Sequence, residues 1–149
     1  MPLHQLKDID GKGGDIERQA IVQLRLSLGP NYVDALWHLY RSSRSNGVRA
    51  ACIYYCFEQA RTNQAATELA VLALGDRSKI VRYRACQLLA YSLDRVLLPR
   101  LDAIRKGIPK DSLADLDAAI DAIANQNQNY FLDRTHTGNI FMEHRTQAV

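Results

Sequence analysis

A short pattern that occurs twice in this 149-residue chain limits the folds that the chain can adopt. Val48-Arg49 is followed by cysteines at positions 52 and 56, and Val81-Arg82 is followed by alanine and leucine at positions 85 and 89. The two copies are offset by 33 residues, and within each copy the apolar residues have the spacing of an α-helix. An offset of this length is typical of repeats that each consist of two helices. The sequence therefore predicts a stack of helix pairs.

Helical spacing continues on both sides of the repeated pattern. After a cap at Asp15, the first predicted helix has apolar residues at every fourth position from Ile16 to Leu28. Glycine, proline and capping residues separate this helix from later ones. The predicted helices, about seven in number, cover residues 15–28, 32–44, 48–57, 64–74, 79–92, 97–108 and 112–128. We therefore predict an all-α domain over residues 15–129, preceded by an irregular arm over residues 1–14.

The last part of the chain, residues 130–149, has a different character. Two short apolar patches, at residues 130–132 and 140–142, flank a polar segment that contains Gly138-Asn139. An Asn- and Gly-containing turn between two apolar runs is a signal for a β-hairpin. We therefore predict a hairpin-like C-terminal tail.

The composition is that of a soluble globular protein, with 47% hydrophobic and 23% charged residues. A domain of this length buries roughly 70% of the surface that its unfolded chain exposes, so it can build its own core. No apolar run reaches the roughly 18 residues of a membrane span, and the first residues lack the apolar region of a signal peptide. The odd number of cysteines, three, argues against a disulfide framework. We expect a cytoplasmic protein without membrane contact.

Residues 72–104 resemble a HEAT repeat. Asp76 opens a turn, Val81-Arg82 begins the inner helix, and Leu98-Pro99 lies in the second helix. The resemblance implies antiparallel helix pairs, with Asp76 and Arg82 at the positions of the polar ladder that links neighbouring repeats. It also implies a scaffold whose exposed helix faces bind another protein.

The short helical body, the segment at residues 117–134 and the tail together resemble small immunity proteins that are encoded beside bacterial polymorphic toxins. This resemblance implies a non-enzymatic protein that neutralises a cognate toxin by covering its active surface. Aspartates of the last helix and polar and aromatic residues of the tail are the candidate contacts, because an exposed hairpin edge can accept a partner strand. The predicted partner-binding residues are Asp117, Asp121, Tyr130, Asp133, Arg134, His136, Asn139 and Phe141.

An alternative function is nucleic-acid binding. Residues 77–110 contain nine lysines and arginines against two aspartates, and five of the arginines form a candidate anion-binding strip. The strip consists of Arg77, Arg82, Arg84, Arg95 and Arg100. The sequence pI of about 8.8 and the acidic segment at residues 111–121 weaken this alternative, because a nucleic-acid footprint is usually more basic. We therefore predict a protein partner rather than a nucleic acid.

Residues with catalytic or metal-binding chemistry are few. Cys52 and Cys56 lie one helical turn apart, but a closed zinc site needs two more ligands, so we expect both to be small core residues. Asp133, His136 and the pair Glu143-His144 could form an acid–base site in the tail. A phosphate-binding loop, a nucleophile elbow and a metal-ligand motif are all missing from the sequence. We therefore predict no enzymatic activity, no metal and no cofactor.

Overall fold

Short turns connect a series of α-helices in residues 4–142, which are the residues that this computed structural model describes. The helices are α1 (Asp15–Leu28), α2 (Tyr32–Ser42), α3 (Asn46–Tyr55), α4 (Gln64–Ala73), α5 (Lys79–Ser92), α6 (Leu98–Arg105) and α7 (Leu113–Ala124). Single 3-10 turns precede or follow several of them, the first at His4–Asp8 and the last at Gln128–Phe131. The described chain is therefore all-α, as the sequence predicts.

Local sequence explains where the helices begin and end. Ser45 and Asn63 each accept a hydrogen bond from a backbone N–H of the first turn, and so cap α3 and α4. The cap of α1 is Gly14 rather than Asp15, which is already the first helical residue. The last helix ends four residues before the predicted position 128, because Gln126 adopts a left-handed conformation with φ of 52°.

The helices form two layers. Helices α3, α5 and α7 pack side by side, with α5 in contact with both neighbours. The second layer contains α2, α4 and α6, which pack on α3, α5 and α7 respectively, and α4 also contacts α2. Helix α1 and the 3-10 helix at His4–Asp8 pack together at one end of the stack. The buried apolar core therefore runs between the layers.

The three cysteines belong to this core. Cys52, Cys56 and Cys86 are free thiols that are fully buried. Burial raises the pKa of Cys52 and of Cys86 to about 12 and raises that of Cys56 well above its usual value. The thiols therefore stay protonated at neutral pH, and the prediction that Cys52 and Cys56 are core residues is confirmed.

The segment before α1 is folded onto the body instead of being an irregular arm throughout. Leu6 and Ile9 are buried. The loop that follows is fixed by Glu17, whose buried carboxylate accepts hydrogen bonds from the backbone N–H groups of Gly11 and Gly13 at 2.6 and 2.8 Å. The same carboxylate accepts a hydrogen bond of 2.7 Å from the hydroxyl of Tyr55. One buried side chain thus ties the N-terminal loop to α1 and α3.

Gly11 is the most constrained residue of this loop. Its φ is +82°, and a Cβ added there would lie 2.3 Å from the carbonyl carbon of Gly47. Gly13 has a similar φ of +72° but open space around it, so it provides a matched control. We expect Gly13→Ala to cost about 1–2 kcal/mol of unfolding free energy through the left-handed backbone alone. Gly11→Ala should cost clearly more in chemical denaturation, and equal effects would show that the contact with Gly47 is unimportant.

The predicted β-hairpin is wrong for residues 130–142, and residues 143–149 lie outside the described part. Asn127 accepts a hydrogen bond from the N–H of Asn129 and caps a 3-10 helix at Gln128–Phe131. No strand is assigned anywhere in residues 4–142. The N–H groups of Tyr130 and Leu132 donate to the backbone carbonyls of Asn127 and Asn129, and the N–H of Met142 donates to the side chain of Asn129. Within the same range, no helix is long and apolar enough to cross a membrane.

Candidate binding site

A buried ion pair connects α3 to the turn before α5. Arg49 donates to the carboxylate of Asp76 through Nε at 2.9 Å and through Nη2 at 3.0 Å, and both side chains are less than a tenth exposed. Asp76 also accepts hydrogen bonds from the hydroxyl of Tyr40 and the N–H of Ser78. Desolvation raises the pKa of Asp76, but the hydrogen bonds from Arg49, Tyr40 and Ser78 outweigh it and hold the pKa below the ordinary value.

A second arginine makes an equivalent connection farther along the chain. Arg82 is 4% exposed and donates to the hydroxyl of Ser112 at 2.7 Å and to the carboxylate of Asp111 at 3.0 Å. It also donates to the backbone carbonyl of Asp76 at 2.7 Å. Arg82 therefore links α5 to the turn before α7, just as Arg49 links α3 to the turn before α5. The two residues are 33 positions apart in the sequence.

The structure does not bring the predicted anion-binding strip together. Arg82 is buried and bonded to Ser112 and Asp111, and Arg100 forms a two-pronged ion pair with Glu68 at 2.7 and 2.9 Å. Arg95 is exposed beside the start of α6, away from the hollows that contain Arg77 and Arg84. The five arginines thus do not line one surface, because Arg82 is buried and Arg77 and Arg84 line different hollows.

A groove lies between the N-terminal loop, α1, α3 and α5. Its volume is about 390 Å³, and its floor includes Ala50, Ala51 and Tyr54 of α3. Ile80, 47% exposed, contributes an apolar wall. Arg84 lies beside this wall, with its guanidinium 5.2 Å from the centre of the Tyr54 ring. The groove therefore combines an aromatic and aliphatic surface with a cation.

The charges at the rim of the groove are mainly positive. Lys12 is exposed, Arg84 is half-buried and hydrogen-bonded to Gln87, and neither forms an ion pair in residues 4–142. Arg18 also lines the groove and is paired with Asp15. The single carboxylate of the lining, Glu17, is occupied by the loop and by Tyr55. The groove thus presents net positive charge.

The carboxylate of the tail residue Asp133 holds the surrounding loop in place. It is 1% exposed and accepts hydrogen bonds from the N–H and hydroxyl of Thr137 at 2.9 and 2.8 Å and from the N–H of Gly138 at 2.7 Å. Desolvation raises its pKa, but these hydrogen bonds dominate and lower the pKa overall. Asp133 is therefore not available to a partner, contrary to its predicted role, because its carboxylate satisfies the loop that surrounds it.

Two other predicted contacts, Asp121 and His136, meet each other across the base of the tail. Nε2 of His136 lies 2.6 Å from Oδ2 of Asp121, and its ring stacks on Tyr130 with the ring centres 3.7 Å apart. His136 also has a left-handed φ of 57°. The structure thus brings Asp121, Tyr130 and His136 together, and their mutual contacts fix the tail against α7.

The remaining predicted contacts are divided between internal pairing and exposure. Arg134 bonds to Asp115 at 2.9 Å, and Asp117 pairs with Arg105. Asn139 is exposed and donates its N–H to the hydroxyl of Thr137, and Phe141 is 64% exposed. Of the eight predicted residues, Arg134 and His136 are also exposed but engaged by acidic side chains, whereas Asn139 and Phe141 are exposed without an ion pair.

The tail does not assemble the acid–base site that could be drawn from the sequence. Asp133 is enclosed by backbone donors, and Nε2 of His136 is engaged by Asp121, while Glu143 and His144 lie outside the described residues. Among residues 4–142, no group of three or more histidine, cysteine, aspartate or glutamate side chains is placed to hold a metal ion. The described tail geometry is that of a hydrogen-bonded loop that holds itself against α7.

Sequence reasoning missed a second hollow, where arginines converge at the turns before α3 and α5. Arg41, Arg44 and Arg77 line it, together with Leu72, and its volume is about 410 Å³. A signal was present in the sequence, since Arg44 and Arg77 are separated by the same 33 residues as the repeated pattern. Only Arg77 of these three was part of the predicted strip.

Comparison of the chain with protein-family models, with curated proteins and with solved structures gave no significant match. The geometry of the chain's own residues is therefore the basis on which a function is inferred.

Proposed function

We propose that this chain is a HEAT-like helical-repeat module that binds another protein, and that it serves as an immunity protein for a cognate bacterial toxin. The groove across α1, α3 and α5 is the observation that carries the proposal. In this proposal the groove receives part of the toxin, and the body of the module covers the active surface by steric occlusion. The protein acts in the cytoplasm and needs no cofactor.

Contacts at the repeat offset support the HEAT-like pairing. Besides the ladder formed by Arg49 and Arg82, three side-chain hydrogen bonds join residues 33 positions apart. These run from Asn63 to the carbonyl of Pro30, from Arg77 to the carbonyl of Arg44, and from Gln126 to the carbonyl of Leu93. Such regular contacts between equivalent positions are what a stack of similar helix pairs produces.

The groove has the features of a protein-binding surface. Its volume lies within the roughly 300–1,000 Å³ of ligand pockets, although its open form suits a protruding side chain or peptide better than a small molecule. Tyrosine and arginine are enriched among the residues that dominate binding energies, and Tyr54 and Arg84 lie together here. Because the floor of the groove belongs to α3, little conformational entropy of the floor is lost when the groove is occupied.

The test of the proposed function is co-expression with the product of the adjacent upstream gene. We expect the chain to rescue the growth of cells that produce the toxin and to co-purify with it. A failure of both rescue and co-purification would remove the immunity function. Binding to duplex DNA that weakens steeply between about 50 and 200 mM salt would instead favour the nucleic-acid alternative.

Groove variants test which surface is used. Tyr54→Ala and Arg84→Glu should each weaken the complex by about 30-fold, or about 2 kcal/mol. Both changes remove from the groove a side chain of a type that often dominates binding energies. Their combined effect should be less than the sum, since the two side chains contact each other. Affinity is measured by calorimetry after circular dichroism has shown that the variants are folded.

The matched control is Arg95→Glu, which makes the same charge change at an exposed residue outside the groove. We expect its affinity to remain close to that of the unchanged chain. If Arg95→Glu weakened the complex as much as Arg84→Glu, the effect would be one of overall charge, and the groove would not be the contact.

A further inference from the structure

The arginine hollow at the turns before α3 and α5 contains positive charge that the described protein does not neutralise. The arginines that form no ion pair within residues 4–142 are Arg41, Arg44, Arg61, Arg77, Arg84 and Arg95. Three of them, Arg41, Arg44 and Arg77, line this one hollow. Gathering like charges in one concave surface raises its local potential and attracts anions.

The carboxylate in the hollow is fully engaged by other groups. Asp76 accepts two hydrogen bonds from Arg49, one from Tyr40 and one from the N–H of Ser78. Arg49 is therefore the arginine that Asp76 neutralises. The charges of Arg41, Arg44 and Arg77 remain, so beyond the buried Arg49–Asp76 ion pair the hollow carries three positive charges.

Contacts with the body hold the walls of the hollow in place. Nη2 of Arg77 donates to the backbone carbonyl of Arg44, which fixes the two turns relative to each other. The guanidinium of Arg41 lies 5.1 Å from the centre of the Trp37 ring. Trp37 is in turn anchored, because its Nε1 donates to the carbonyl of Ala65 at 2.8 Å. The cations are thus partly preorganised for an incoming group.

We propose that this hollow binds an acidic segment of the protein partner, in which two or more carboxylates flank an apolar side chain. Two carboxylates of the segment bind the guanidinium groups, since arginine pairs with carboxylates through two parallel hydrogen bonds. The apolar side chain covers Leu72, which is 44% exposed within the hollow.

This inference rests on the proposed function, because its occupant belongs to a protein partner, but the hollow is tested separately from the groove. The probe is a synthetic capped peptide with the sequence Glu-Glu-Leu-Glu-Glu, titrated into the full ¹⁵N-labelled chain. Saturable shifts are expected at Arg44, Leu72, Gly75 and Arg77. The matched peptide Gln-Gln-Leu-Gln-Gln should produce no saturable shift, since it lacks the carboxylates.

Charge-removing variants locate the site. Arg44→Gln and Arg77→Gln should each weaken the Glu-Glu-Leu-Glu-Glu peptide by about 5-fold or more, while Arg95→Gln, outside the hollow, should change its affinity by less than 2-fold. Equal weakening by all three would show diffuse attraction to a basic protein and overturn the inference. Tighter saturable binding of inorganic phosphate or of oligo(dT) than of the peptide, at the same residues, would also overturn it.

Failure of the hollow and failure of the proposed function give different results. If co-expression rescues growth but Arg44→Gln with Arg77→Gln leaves the affinity for the toxin and for the peptide unchanged, the inference is wrong and the immunity function stands. If the peptide binds at the hollow but no toxin is neutralised, the hollow is a binding site for acidic peptides and the immunity function is wrong.

Discussion

Replacement of Asp76 by alanine is expected to lower the free energy of unfolding by about 3–5 kcal/mol. The change leaves the guanidinium of Arg49 buried without its counter-ion and the hydroxyl of Tyr40 without its acceptor. Since single domains are stable by about 5–15 kcal/mol, this is a large share of the total. The measurement is urea denaturation followed by circular dichroism. A loss close to zero would mean that Arg49 is well solvated without Asp76.

The matched control is Asp117→Ala, which removes an aspartate from an exposed ion pair with Arg105. We expect little change in the denaturation midpoint, because solvent screens exposed ion pairs.

The pH dependence of the unfolding free energy provides a second check on the role of Asp76. The folded-state pKa of Asp76 is lowered, so its contribution is present above the unfolded value of about 3.9 and is lost as the pH falls through the folded value. Asp76→Asn should therefore flatten the acid limb of the stability curve below about pH 4.

Replacement of Phe131 by alanine is expected to cost about 3–5 kcal/mol of unfolding free energy. Phe131 is fully buried, and its ring lies 5.4 Å from that of Tyr83 on α5. Removal of the ring leaves a cavity where the 3-10 helix at Gln128–Phe131 packs on α5 and α7. Calorimetric unfolding would show a lower midpoint, and the proton resonances of Tyr83 would shift.

Phe141→Ala is the control for this change, since it removes the same ring from a position that is 64% exposed. Its effect on stability should stay within about 0.5 kcal/mol. If both variants were equally stable, residues 128–131 would not be part of the core. If Phe141→Ala alone weakened a partner complex, the exposed end of the tail would be a contact.

The helical body could be predicted from the sequence because its signals are local. Apolar spacing and capping residues determine where helices begin, and α5 coincides with its predicted residues. The roles of Asp76 and Arg82 as buried polar links were expected from the resemblance to a repeat. Burial on the first helix was less predictable, since Ile16 is 73% exposed whereas Ile21 is fully buried. Which apolar residues of α1 are buried depends on the elements that pack against this helix.

The tail and the basic hollow could not be predicted because they depend on contacts between distant residues. The sequence around Gly138 is compatible with a hairpin, but Asp133 accepts hydrogen bonds from the N–H groups of Thr137 and Gly138, and Asn129 accepts one from the N–H of Met142. Arg41 and Arg44 precede Arg77 by 36 and 33 positions, and only the packing of the helices brings them near it. Local sequence patterns therefore do not predict that these arginines lie close together.

The two buried arginines have a consequence for how the molecule unfolds. In a linear series of packed helices the end elements can in principle separate first, because each contacts only its neighbours. Here Arg49 joins α3 to the turn before α5, and Arg82 joins α5 to the turn before α7, so separation of α3 or α7 from α5 would break one of these links. The two links therefore favour a single cooperative unfolding transition, in which the groove and the hollow are lost together.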